Sequence, residues 1–170
     1  MTQFLSRSLA FLRPLAGLFL VLVLLGQSVA AQALPRDIVV IRTNGGNHRF
    51  NVELAVTEEE RAKGLMFRQE LDPDAGMLFL YNQDQAVTFW MKDTPLPLDM
   101  IFIASDGKIT QIVRHAEPYS ENLIPSNTYI RGVLEVIAGT ADRYNIAPGD
   151  HVDYGKFKMP GAASAKIPGQ

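Results

Sequence analysis

Two carboxylates stand where the surrounding sequence calls for apolar side chains. Asp99 lies between Leu98 and the run Met100–Ile103, and Glu135 lies between Leu134 and Val136. An ionised carboxylate left unpaired in a protein interior is very costly, so each acid must either turn outward to water or meet a cation. Lys92, Asp93 and Thr94 follow Trp90 just upstream of Asp99, and Arg61 and Arg68 flank an apolar triplet further back. Folded into one cleft, Trp90, Lys92, Asp93, Thr94, Asp99, Glu135, Arg61 and Arg68 form a polar cluster suited to binding a ligand. The Trp90 ring would then be open to a sugar, a peptide or a partner surface. A plainer arrangement satisfies the same residues: Lys92–Thr94 as a turn, Asp99 capping a loop, and Glu135 in water.

Other chemistries have less behind them. His115 with Glu117, and His151 with Asp153, stand two apart. On a strand that spacing puts imidazole and carboxylate on one face, the beginning of a divalent-metal site that still needs further ligands. The chain has no cysteine, which excludes disulfides, thiolate catalysis and Cys-ligated zinc. There is no GxSxG or HExxH pattern, and Ser120, Ser126 and Ser164 sit in polar stretches without a neighbouring base. Gly45 and Gly46 turn a hairpin; no helix follows them to cradle a phosphate. The sequence therefore assigns no metal and no cofactor. An enzymatic alternative is a hydrolase or metal-dependent activity built from Asp99, Glu135 and a histidine.

The elements that must position these residues are mostly strands. Val87, Phe89 and Met91 alternate with Thr88 and Trp90, the period of a strand with two different faces. Pro95 and Pro97 fix φ and remove two donors, so the chain runs extended between them before a second strand over MIFIA. An Asp-Gly turn at Ser105–Lys108 then leads into KITQIVRH. Upstream, DIVVIR and HRFNVELAV flank a glycine hairpin; Phe50, Val52, Leu54 and Val56 are expected on a buried face and Asn51 and Glu53 on a wet one. Thr57 and Glu60 have capping-box spacing, predicting a short helix closed by Gly64. Strands are also expected at Met77–Tyr81, Gly132–Ala138 and HVDYG, with a helical turn from Thr140 and a long surface connection from Glu117 to Arg131. The aromatic and methionine side chains read as core, with Trp90 and Met91 as the exceptions. The pattern argues for an all-β sandwich or barrel with one or two short helices, α+β being the alternative.

The first 33 residues carry an address. Arg7 and Arg13 precede an apolar run from Leu15 to Leu25, and small residues follow, with cleavage expected after Ala30 or Ala33. The run is short against the roughly 20 residues of a membrane-spanning helix, so no stable membrane insertion is expected once the signal is removed. The formal net charge is −2 and becomes more negative without those arginines, which argues against nucleic acid as a partner. Residues 34–159 are one domain's worth of chain, and 160–170 have the small, Pro- and Gly-containing composition of a disordered tail.

Five segments in order make a more specific pattern: ERAKGLMFR (60–68), GMLF (76–79), FWMKDTPLPLDMIFI (89–103), LEVIAG (134–139) and GDHV (149–152). Together they resemble the bacterial and archaeal family known as domain of unknown function 192, over roughly Ile38 to Tyr154. The resemblance implies a compact β-sandwich of jelly-roll character, often behind a signal peptide, and no established reaction, cofactor or substrate. Where that family usually has Asn after the Lys of FWMK, this chain has Asp93. The expectation is a periplasmic or secreted, noncatalytic ligand-binding or envelope accessory module, its partner a small molecule, a glycan or an envelope protein.

Overall fold

The computed structural model describes residues 33–157, so the signal-peptide and tail readings lie outside the described residues, apart from Ala33. The elements in order are β1 (Arg36–Thr43), β2 (Gly46–Ala55), α1 (Glu58–Lys63), β3 (Ala75–Gln85), β4 (Thr88–Phe89), β5 (Leu98–Ile103), β6 (Ile109–Ala116), β7 (Ile124–Pro125), β8 (Ile130–Ile137), α2 (Thr140–Arg143) and β9 (His151–Asp153). Seven strands form one sheet in the order β6-β5-β8-β3-β2-β1-β9, and β4 pairs with β7 in a two-stranded ribbon. The fold is all-β with two short helices. As a sandwich it is lopsided, since one layer has seven strands and the other two.

The sheet curls until its outer strands meet. Lys108, at the start of the β6 edge, bridges His151 of β9. The Val152 amide donates to the Gly107 carbonyl at 2.8 Å, and the Ile109 amide donates to the Asp150 carbonyl at 2.8 Å. Gly107 is required there: its φ is +87°, and a Cβ would fall 2.6 Å from the Val152 carbonyl oxygen. Edge groups that would otherwise invite another strand are thus paired within the chain at that end.

Both faces of the sheet are covered. Inside the curl, Val39, Phe50, Leu78, Ile101, Leu134 and Val152 belong to one buried cluster. On the other face, Met77, Phe79, Met100, Phe102 and Val133 form a second, against which Phe89 and Ile124 of the ribbon pack. Phe89 meets Phe79 and Phe102 edge to face at 5.1 and 6.0 Å, contacts that add about 0.5–1.5 kcal/mol each beyond area burial. All six residues of β5 are buried as a result.

All other strand pairs in the seven-stranded sheet being antiparallel, β2 and β3 are parallel, and a parallel pair needs a crossover. The crossover begins with α1, where Thr57 and Glu60 form the expected capping box. The Val56 and Thr57 amides donate to the Glu60 carboxylate at 2.8 Å each and hold its pKa below the usual value. Because the crossover covers the end of β2, the expected division of that strand into one dry and one wet face stops short. Ala55 is fully buried on the second face, while Val56 is 42% exposed. Two further expectations are corrected: the strand read over Val87–Met91 is the two-residue β4, and the long connection from Glu117 to Arg131 contains its partner β7 and the start of β8.

Asp99 is one of the ties in this arrangement. It is fully buried, yet it accepts from the His115 amide at 2.9 Å and from the Ala141 amide at 2.9 Å. The β5–β6 register shifts between Leu98 and Met100, and His115 opposite has φ +52°. The bulge turns a ladder amide toward the carboxylate, which also satisfies an amide in the first turn of α2. Among the described residues Asp99 meets no cation; two backbone amides are its donors. Asp99→Asn replaces one acceptor oxygen by an NH₂ group facing an amide and is expected to lower unfolding free energy by about 2–3 kcal/mol, measured by urea denaturation.

Candidate functional site

The crossover that makes β2 and β3 parallel also builds a pocket. α1 and the residues after it form one wall, β3 and β8 the floor, and the chain from Thr88 to Thr94 the other wall. The cavity is about 350 Å³ and is lined by Arg61, Phe79, Tyr81, Phe89, Trp90, Thr94 and Glu135, with Glu58, Lys63, Leu65 and Met66 among the others. That volume is within the usual range for small-molecule sites.

Glu135 is at its floor. In register it faces Met77 of β3 and Met100 of β5, so its side chain lies on the second-cluster face between two buried methionines. It is 4% exposed, and desolvation raises its pKa to about 8. No cation or amide among the described residues offsets that burial. With its pKa raised to about 8, the protonated form of the acid predominates at neutral pH. Tyr81 is pushed up to about 12, chiefly by desolvation, with Arg61 opposing and Glu135 reinforcing the shift.

Arg61 is fixed at the wall. Its Nη1 donates to the carbonyls of Val56 and Leu80, at 2.5 and 2.9 Å, and its guanidinium carbon lies 4.9 Å from the Tyr81 ring centroid. At the mouth Trp90 is 44% exposed, with Lys92 Nζ 5.3 Å from its ring centroid. Lys92 to Thr94 are indeed a turn, since the Thr94 amide donates to the Met91 carbonyl at 3.1 Å. Asp93 has φ +53°, a conformation that Asn and Asp tolerate better than most residues, so the departure from the usual Asn is conformationally small. Neighbouring segments fasten onto this turn: the Phe67 amide donates to the Asp93 carbonyl at 2.7 Å and the Tyr119 amide to the Thr94 carbonyl at 3.1 Å.

Of the eight residues expected to share one cleft, Arg61, Trp90, Thr94 and Glu135 line this pocket, and Lys92 and Asp93 belong to its rim turn. Asp99 does not join them. It pairs with Val136 and so points to the opposite face from Glu135, because neighbouring residues of a strand alternate. Arg68 lines a separate cavity of about 680 Å³, where it is ion-paired with Glu53. The grouping of Asp99, Glu135 and a histidine fails for the same reason of alternation. Asp153 is ion-paired with Arg42, and no group of three His, Asp or Glu side chains suited to a metal ion occurs among the described residues. Met91, expected to be available, is 1% exposed and belongs to the core. Sequence reasoning left out Lys63 and Tyr81 and counted Phe79 and Phe89 as core. Nothing in strand or helix periodicity marks where a crossover leaves a gap over the sheet.

The fold and site define a small all-β domain with an aromatic-walled pocket over a buried acid. The model of the family DUF192, described as "Uncharacterized ACR", matches residues 39–154, and the chain belongs to that family. Two solved structures are similar to it. One, from Sinorhizobium meliloti 1021 and described as a "putative transcription regulator", is 44% identical with a TM-score of 0.70, over 72% of this chain and 95% of that one. The other, a protein of unknown function from Novosphingobium aromaticivorans DSM 12444, is 42% identical with a TM-score of 0.71, over 74% and 89%. A search of curated proteins finds no match.

The Glu135 shift carries a stability consequence. Between the ordinary carboxylate value and about 8, the folded state holds a proton that the unfolded state has released, so the contribution is fully present below the unfolded pKa and is lost as pH rises through the folded one. Glu135→Gln is expected to keep the fold and to flatten the decline in unfolding free energy between about pH 5 and 8, measured by denaturation across that range.

Proposed function

We propose that the chain is an exported, noncatalytic binding module that takes a small organic molecule or one unit of a glycan into the pocket between α1, β3, β8 and the Trp90–Thr94 turn. The observation that supports this most directly is Glu135, a carboxyl buried at the floor of an open pocket with no group among the described residues offsetting its burial. A stable fold gains nothing from such a group, whereas a ligand supplies the missing partner. The exposed Trp90 beside Lys92 offers a stacking face at the entrance. The Asp99 clamp is structural on this reading, and Arg68 with its own cavity is outside the site. Export rests on Arg7, Arg13 and the apolar run they precede. One neighbour is described as a transcription regulator; the net charge of −2 of this chain weighs against nucleic acid as its partner.

A ligand that binds the folded state raises the melting temperature, by an amount corresponding to about 2.7 kcal/mol at a hundredfold excess over Kd. In a screen of sugars, cell-wall fragments, short peptides and divalent metals, the expected result is stabilisation by an organic compound that disappears in Trp90→Ala. The unliganded melting temperature of that variant should stay nearly unchanged. Stabilisation by metal alone, abolished in His151→Ala, would refute the reading. Export has its own check: the full chain should fractionate outside the cytoplasm, and a chain lacking residues 1–33 should remain inside.

A further inference from the structure

The pocket over Glu135 also constrains the class of ligand, an inference that rests on its being a binding site. Its walls carry the rings of Phe79, Tyr81, Phe89 and Trp90, which suit a flat or ring-shaped body. An aromatic box above an acid would by itself suit an alkylammonium. Here, however, Arg61 already lies against Tyr81 and Lys92 against Trp90, so an incoming cation would meet two resident ones. Lys63 and Glu58 line the pocket as well. A neutral carboxylic acid donates a hydrogen bond through its hydroxyl, and in a pocket lined by Arg61 and Lys63, with Lys92 at its rim, the strongest complement to that donor is an anionic oxygen.

We propose that this pocket takes ring-bearing carboxylic acids, the ring against the aromatic walls and the carboxylate accepting from Glu135 and paired with Arg61. A uronic acid unit of an acidic glycan and a free aromatic acid share this chemistry.

The assignment carries a pH signature. Glu58, Arg61 and Lys63 of α1, Tyr81 of β3, and Lys92 at the rim share the site with Glu135. Tyr81, pushed up to about 12, stays neutral while Glu135 titrates near 8. A carboxylate ligand needs Glu135 protonated, so its affinity falls by about tenfold per pH unit once Glu135 ionises.

The experiment is calorimetric titration of the full chain and of Glu135→Gln from pH 6 to 9.5, with circular dichroism checking the fold. The probes are galacturonate, benzoate, their neutral counterparts methyl galactoside and benzyl alcohol, and benzylamine. The expected result is that a carboxylate binds at least tenfold more tightly than its neutral counterpart at pH 6 and weakens above about pH 8. Glu135→Gln, whose amide still donates, should bind at pH 6 without the decline. Galacturonate alone points to an acidic glycan, benzoate alone to a free aromatic acid. Binding of benzylamine or a neutral probe without either carboxylate overturns the assignment and leaves the pocket a ligand site. Carboxylate binding with the same pH profile in Glu135→Gln overturns it too. If neither carboxylate binds, this inference fails, and the binding-module reading stands or falls by Trp90-dependent stabilisation from other compounds.

Discussion

Strands β5 and β8 and the first half of β3, Gly76 to Leu80, are buried on both faces, and the rest of the domain is arranged to keep them so. A strand with two dry faces needs a core on each side, and a chain of this size has one sheet to supply both. Curling the sheet provides the first, with residues from all seven strands meeting inside the curl. The second has to be assembled from what is left: Leu65 and Leu71 of the crossover after α1, the proline-fixed run from Trp90 to Leu98, and the β4–β7 ribbon anchored by Phe89 and Ile124. The cover is made of short pieces, and where two of them meet over β8 it leaves a pocket.

Two acids on neighbouring strands show what double burial does to a charge. Asp99 and Glu135 are both almost wholly removed from water, and their side chains leave the sheet in opposite directions. On the inner face a bulge in β6 and the first turn of α2 aim two amides at Asp99, so the carboxylate ties together three elements. On the outer face no pair of amides among the described residues reaches Glu135 in this way, and desolvation raises its pKa. The same residue chemistry serves as a clamp in one position and as a desolvated carboxyl at a pocket floor in the other. The difference lies in what the backbone brings to within 3 Å.

The local pattern of the sequence determined a good deal. The glycine hairpin, the capping-box helix, the Asp-Gly turn and most strands depend on contacts within a few residues, and they are legible for that reason. The rim of the pocket was readable too, because Trp90 and the Lys92–Thr94 turn are consecutive. Asp99 and Glu135 were conspicuous as acids in apolar company, but neighbouring residues alone cannot say on which side of a sheet an acid emerges or what waits there.

Tertiary structure decided those points. The parallel pairing of β2 with β3, the meeting of β6 and β9, and the two-residue β4 all depend on partners distant in the chain. Alternation then sent Asp99 to one face and Glu135 to the other, and the crossover carried Arg61 to the second and left Arg68 beside Glu53. By itself the sequence pointed to a domain built mainly of strands and to the residue types able to bind. Which of those residues share a site followed from strand pairing, because pairing fixes the face of every side chain at once.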